Sequence, residues 1–235
     1  MNLILFSNQD RIAEHRIVLR DDRFQQIRKI HQSRINDTVR IGELNGLMGN
    51  GTIQSIDDQS VEIVIQLDKS PPPKLPLTVI LSLPRPKMIR RIFRSIAELG
   101  VQELIIINSY KVEKSFWQSP ILSEKNVQQH LISGLQQSKD TVLPLISFKR
   151  LFKPFVEDEL PSIIKDSQPL IAHPGTATAC PHQINAAATL AIGPEGGFTD
   201  YEAGKFLEAG FEGIHLGPRI LRVENALSAL IAKLY

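Results

Sequence analysis

Three consecutive prolines, Pro71 to Pro73 within DKSPPPKLPL, set the first constraint on what this chain can fold into. Proline fixes φ and lacks a backbone N–H, so a run of three suits neither a helix nor a sheet interior and forms a stiff extended connector. The chain therefore reads as a domain over residues 1–70, a linker over 71–76 and a domain over 77–235. Its 235 residues, 42% of them hydrophobic, suffice for one medium and one small core.

Before the prolines the pattern is that of strands. TVRIGEL, GTIQSI and SVEIVIQL are short alternating or β-branched runs, separated by NGLMGNG and DDQ. They predict a small β-barrel or sheet, with one helical stretch from Phe24 to Ser33. After the prolines the fold class is α/β. LTVILSL, ELIIIN, QPLIAH, ATLAIG and EGIHLG read as strands, the last three each expected to lead into a helix. In PKMIRRIFRSIAELG, Met88, Ile89, Ile92, Phe93, Ile96, Ala97 and Leu99 form one apolar face, and Arg90, Arg91 and Arg94 lie largely off it. Another helix is expected from Glu124 to Lys139. The alternation predicts a mostly parallel sheet covered on both faces.

Composition narrows the function. No apolar run reaches the roughly 18 residues of a membrane span, and the N-terminus lacks the basic region and cleavage site of a secretory signal, so a soluble cytoplasmic protein without a membrane partner is expected. A single cysteine, Cys180, rules out an internal disulfide framework. The six histidines are scattered without zinc spacing, so no metal is expected. The net charge of +2 hides two basic stretches: residues 11–40 carry eight basic against four acidic side chains, and residues 85–94 carry five basic and no acidic ones. The second stretch, Arg85, Lys87, Arg90, Arg91 and Arg94, suits phosphate contacts on a polyanion.

AIGPEGGFTD holds three glycines and a proline in one five-residue turn between a strand and a helix. Thr199 and Glu202 have capping-box spacing and start the helix. Ligands of open α/β sheets bind beyond the carboxyl ends of the strands, where this loop falls. It is no P-loop, since no lysine follows the glycines until Lys205, and no G-x-G-x-x-G fingerprint occurs. Glu195 in the loop disfavours a phosphate and tolerates a neutral or cationic ligand. A second Gly-Pro loop, HLGPRILRVEN, lies one strand and helix later. Two such loops at neighbouring strand ends can grip a planar ligand, with backbone groups reading its edges and Ile220 and Leu221 offering apolar surface.

LAIGPEGGFTDYE followed by IHLGPRILRVENA resembles the signature pair of the RsmE family, the 16S ribosomal RNA uridine-N3 methyltransferases of the SPOUT superfamily. PRPKMIRRIFRSIAELGVQELI, LQQSKDTVLP and LIAHPGT support the resemblance, which covers most of residues 77–235, and RKIHQSRINDTVRI resembles the family's PUA-like domain. The chain departs from the family at Val223 and Asn225, where R-T-E-[TS]-A is usual, and at Lys139 and Asp140, where an arginine-containing Q-S-x-R is commoner.

The resemblance implies a SPOUT-type trefoil-knotted α/β domain with an N-terminal PUA-like β-barrel, acting as a homodimer on 16S rRNA or the small ribosomal subunit with S-adenosylmethionine as cofactor. Residues expected at the cofactor are Ile192, Gly193, Pro194, Glu195, Gly196 and Gly197, then Leu216, Gly217, Pro218, Ile220 and Leu221, with His173 and the AHPG segment at 172–175 alongside. Arg222 is the candidate stabiliser of charge on the uracil oxygens. Glu224 is the candidate proton acceptor, or else orients Arg222 or holds the C-terminal helix. The rivals are a SPOUT methyltransferase with another RNA target, such as a tRNA ribose 2′-hydroxyl, and a non-catalytic RNA-binding adaptor.

Overall fold

The computed structural model describes residues 2–30 and 34–235. Two compact units emerge, one of residues 1–73 with 132–143, the other of 74–131 with 144–235.

In the first unit, β1 (Ile4–Phe6), β2 (Arg11–Ala13), β3 (Arg16–Leu19), β4 (Thr38–Glu43), β5 (Met48–Ile56) and β6 (Val61–Lys69) form one sheet in the order β1-β4-β5-β6-β3-β2. β1 runs parallel to β4 and the other neighbours are antiparallel. Alternation decides which face is buried: Val61, Ile63 and Ile65 of β6 point into a core with Ile17, Leu19, Val39, Ile41 and Ile53. Helix α1 (Asp22–Gln25) and the π-helical turn Gln26–Ile30 after it add Phe24 and Ile27, both fully buried. The helical stretch expected from Phe24 to Ser33 thus begins earlier, at Asp22, and its residues 31–33 lie outside the described residues. NGLMGNG, expected as a separator, instead enters β5 at Met48. A side chain at Gly49 would meet the Gln66 carbonyl, so the glycines that suggest a loop here permit close strand packing.

The second unit is an all-parallel sheet. Its strands are β7 (Leu75–Ser82), β8 (Val101–Ile107), β9 (Leu145–Lys149), β10 (Gln168–Ala172), β11 (Thr178–Ala179), β12 (Ala188–Ile192) and β13 (Glu212–His215), in the order β11-β13-β10-β12-β7-β8-β9. Register places Leu190 beside Val79 and Val79 beside Leu104. On one face Ile80, Ile105, Ile107, Ile171 and Ala191 pack with Phe155, Val156 and Leu160 of the segment holding α4 (Phe152–Pro154) and α5 (Leu160–Ile164), and with Phe198, Phe206 and Phe211 around α6 (Asp200–Glu208). On the other, Val79, Leu81, Leu104, Ile106 and Leu190 are fully buried. α2 (Pro86–Glu98) buries Ile89, Ile92, Phe93, Ile96 and Ala97, the face expected from the sequence, and touches α7 (Val223–Leu234). Full burial of each large apolar side chain is worth about 1.5–3 kcal/mol. α3 (Glu124–Ser138) begins in this unit and ends in the other.

One expectation fails here: no helix follows β10. Residues 173–187 form a loop and the short strand β11, because HPGTATACPHQINA carries two prolines and a glycine and no helical periodicity. Among the described residues no helix is long and apolar enough to cross a membrane.

Candidate functional site

β7 and β12 are neighbours, yet the chain leaves β7 toward β8 and β9 and builds the other side of the sheet afterwards. Such a reversal opens a crevice at the carboxyl ends of the strands. The segments after β10, β12 and β13 line a pocket at this end of the sheet, and the loops after β7 and β8 bond to the β12 loop through Arg85 and Lys111.

The β12 loop is held at several points. Gly197 has φ +69° and its N–H donates to the Pro194 carbonyl at 2.8 Å, closing a tight turn. Glu195 is exposed, and its Oε1 accepts the Arg85 N–H at 3.3 Å. The Lys111 Nζ donates to the Gly196 carbonyl at 2.7 Å. The expected capping box is present: the Thr199 N–H and hydroxyl both lie 2.9 Å from the Glu202 Oε2. The other Glu202 oxygen accepts the Tyr110 N–H at 2.7 Å, so this buried carboxylate also ties α6 to the β8 loop.

The β13 loop turns at Gly217, φ +103°, whose N–H is accepted by the His215 Nδ1 at 2.9 Å. Ile220 is 83% exposed and Leu221 is partly so. α7 then begins with Arg222 as its N-cap residue and Val223 buried.

One pocket lies between these loops. Of the residues expected at a cofactor, it is lined by His173, Ile192, Gly193, Pro194, Glu195, Gly197, Leu216, Gly217, Ile220 and Leu221, with Ala172 and Pro174 of the AHPG segment. Gly196 and Pro218 are not among its lining residues, nor are Arg222 and Glu224. Gly196 instead carries the Lys111 side chain. The Arg222 carbonyl accepts the Ala226 N–H at 2.8 Å, and Glu224 sits half-buried in the first turn of α7, where a carboxylate favours the positive end of the helix. The pocket also includes Phe198, Ile214, His215, Arg219, Val223, Ala226 and Leu230, which the sequence reading missed as pocket residues. Val223, Ala226 and Leu230 have helical spacing, and that was the available signal. The result is a largely apolar slot with one acid, one arginine, two histidines and many backbone groups at its mouth.

On α2, Lys87, Arg90, Arg91 and Arg94 are exposed, as is Arg85 before it. Among the described residues none of the five makes an ion pair with an acidic side chain. Burial, together with Arg94 and Arg90, holds the His130 imidazole of α3 below its ordinary pKa, and its Nδ1 has no hydrogen-bond partner among the described residues. Elsewhere, burial pushes the Cys180 thiol up, opposite to what a nucleophile needs. Trp117 donates its indole N–H to the Asn108 Oδ1 at 2.9 Å, meets Phe148 edge-on and lies under Arg150, so its role is packing. No group of three or more metal-ligating side chains occurs among the described residues.

The model of the RNA methyltransferase domain matches residues 71–235. The chain is 28% identical to the ribosomal RNA small subunit methyltransferase E of Treponema pallidum (strain Nichols), covering 99% of this chain and 90% of that one. It is 27% identical to the ribosomal RNA small subunit methyltransferase E 1 of Borreliella burgdorferi, covering 97% and 95%. Its fold is similar to the crystal structure of a ribosomal RNA small subunit methyltransferase E from Neisseria gonorrhoeae bound to S-adenosyl methionine, with TM-score 0.75 and 21% identity over 99% of this chain and 95% of that one. The chain belongs to the RNA methyltransferase family, as a relative of the ribosomal RNA small subunit methyltransferase E proteins.

Proposed function

We propose that this protein is an S-adenosylmethionine-dependent methyltransferase acting on N3 of a uridine in 16S ribosomal RNA of the small subunit. The observation that carries the reading is the largely apolar slot between the β12 and β13 loops, whose wall holds one acid, Glu195, one cation, Arg219, and many backbone groups. Apolar walls with backbone groups at the mouth suit a flat heteroaromatic ligand, and Glu195 suits a cationic centre on it. The names of the relatives supply the RNA, and the Neisseria structure, bound to S-adenosyl methionine, supplies the cofactor. The reading includes a trefoil-knotted domain over 77–235, a PUA-like barrel over 1–70, a homodimer, and a cytoplasmic location.

The cofactor, when bound, supplies an electrophilic methyl group. In this reading the residues of the slot would hold it: Ile192, Ile214, Leu216 and Leu221 would give apolar surface, backbone groups around Gly193 and Gly217 would offer hydrogen bonds, and Glu195 would offset its positive charge. Uridine N3 bears a proton and is a poor nucleophile until that proton leaves. Arg222, as a forked donor, stabilises the charge that then spreads to the uracil oxygens. Glu224, one turn into α7, takes the proton or orients Arg222. Alignment of N3 with the methyl group contributes on the order of 7 kcal/mol where the geometry is well held. Arg85, Lys87, Arg90, Arg91 and Arg94 contact backbone phosphates.

The test uses methyl-labelled S-adenosylmethionine and small subunits that lack the modification, with the labelled nucleoside identified by mass spectrometry. Labelled 3-methyluridine is expected. Label on another nucleoside of the subunit moves the target, and no label despite cofactor binding points to the wrong RNA, such as a tRNA, or to an adaptor.

A further inference from the structure

We infer that Lys111 is a positioning residue for the cofactor loop, acting through Gly196 from outside the pocket. The inference rests on reading the slot as the cofactor site. Two observations on different atoms carry it. The Lys111 ammonium donates to the Gly196 carbonyl at 2.7 Å. Its aliphatic stem lies on the Gly196 α-carbon, where a Cβ would stand 2.9 Å from the Lys111 Cδ and 3.6 Å from its Cβ. The absence of a side chain at Gly196 therefore makes a seat for a lysine, while the pocket is lined by its neighbours Glu195 and Gly197.

The consequence follows from backbone freedom. The peptide unit between Gly196 and Gly197 is flanked by two residues without Cβ atoms, so sterics alone leave its orientation weakly determined. The Lys111 hydrogen bond selects one orientation of the Gly196 carbonyl and with it the direction of the Gly197 N–H, which donates back to Pro194. The residue before Lys111 grips the same loop farther along, because the Tyr110 N–H donates to Glu202. The β8 loop thus braces the β12 loop at two points, and Lys111 supplies the brace next to the pocket.

The test uses the full-length protein with Lys111→Met, which keeps an apolar stem and removes the ammonium, and Lys111→Arg, which restores a cationic donor. Gly196→Ala provides an independent disturbance, since its methyl displaces the stem. Kd for S-adenosylmethionine by calorimetry, KM and kcat on small subunits, and Tm are measured for each. Lys111→Met is expected to raise Kd and KM for the cofactor about fivefold to tenfold while kcat at saturation stays within about twofold. Lys111→Arg recovers most of the loss. Gly196→Ala raises Kd similarly, and the Lys111→Met/Gly196→Ala pair is no worse than either alone, as expected when both remove one interaction. Unchanged cofactor affinity in Lys111→Met overturns the inference, and so does a loss shared equally by kcat and Tm, which marks a general staple of the fold. A wild-type protein that binds no S-adenosylmethionine overturns the reading of the slot itself.

Discussion

The His215 side chain accepts the Gly217 N–H at 2.9 Å through Nδ1, bridging the turn that opens the β13 loop. An accepting Nδ1 is unprotonated, so the neutral ring carries its proton on Nε2. This places a histidine in the pocket wall as a local brace for the second loop, much as Lys111 braces the first. Replacing it with alanine is expected to weaken S-adenosylmethionine binding about threefold to tenfold, in line with roughly 1 kcal/mol for one net hydrogen bond. Asparagine, whose side-chain oxygen accepts from a backbone N–H two residues on, recovers part of the loss. Calorimetric titration of the three proteins checks this, and equal affinities would remove His215 from the set of positioning residues.

The cations of α2 give a prediction about salt. The four cations of α2, with Arg85 just before it, release counterions when they neutralise phosphates, so the logarithm of RNA affinity falls linearly with the logarithm of salt concentration. The double variant Arg90→Glu/Arg94→Glu is expected to weaken small-subunit RNA binding and to flatten that slope by about two. Cofactor affinity stays unchanged, since neither residue lines the pocket. Filter binding from low to high salt reads the slope, and a slope equal to that of wild type places the RNA elsewhere.

Much of this was legible in the sequence, and the misses have local causes. The helix of residues 86–98 was readable because its apolar positions recur at helical spacing, and the strands of the parallel sheet because both faces are buried and the runs are continuous. β9 escaped notice because it is an edge strand: Leu145 is 65% exposed and Phe148 37%, so LISFK shows neither alternation nor a fully buried run. The helical turns at 152–164 were hidden by Pro154 and Pro161, which read as breakers although each sits where a turn tolerates it. That residues 132–143 pack with the N-terminal sheet rests on pairings such as the Leu3 N–H with the Gln136 carbonyl, which no local pattern encodes. At the site the capping box of Thr199 and Glu202 was readable from spacing, whereas the third bond of Glu202, to Tyr110, joins residues 92 apart. For the same reason the bond of Gly196 to Lys111, between residues 85 apart, is not legible in the sequence.

The N-terminal sheet carries a pH dependence of definite sign. Arg23 makes two 2.7 Å bonds to the Asp10 carboxylate and a third to Asp21. Burial raises the Asp10 pKa, but hydrogen bonds from Arg23 and the Ser7 N–H outweigh it and hold the group below its ordinary 3.8. The Arg23 hydrogen bond, against the opposing effect of burial, likewise lowers Asp21. Both carboxylates are therefore easier to ionise folded than unfolded. Their stabilisation is complete above pH 3.8 and is lost as pH falls through the lower folded values. Arg23→Ala is expected to lower hydrogen-exchange protection of β4, β5 and β6 at pH 7, and the gap to wild type narrows in acid once the carboxylates are protonated. Hydrogen exchange resolves this unit, whereas the single tryptophan, Trp117, reports on the other one. A gap that persists in acid once both carboxylates are protonated in the folded state would assign the effect to lost packing of the Arg23 side chain.

Glu224 separates the two halves of the proposed chemistry. It lies in the first turn of α7, half-buried, just past the pocket wall and one position from Val223, which does line it. As a proton acceptor or the orienter of Arg222, it acts on the nucleotide and leaves the cofactor untouched. Glu224→Gln keeps the shape and removes the charge, so kcat for methyl transfer is expected to fall by about 100-fold, the usual scale of general acid–base catalysis, with S-adenosylmethionine affinity within about twofold of wild type. The pH profile distinguishes the roles. A proton acceptor leaves a variant whose rate rises with pH as hydroxide or spontaneous ionisation of uridine takes over, whereas an orienter of Arg222 lowers the rate by the same factor at every pH. A variant with unchanged turnover leaves Glu224 the third role, that of a carboxylate favouring the start of α7, which Tm then reports.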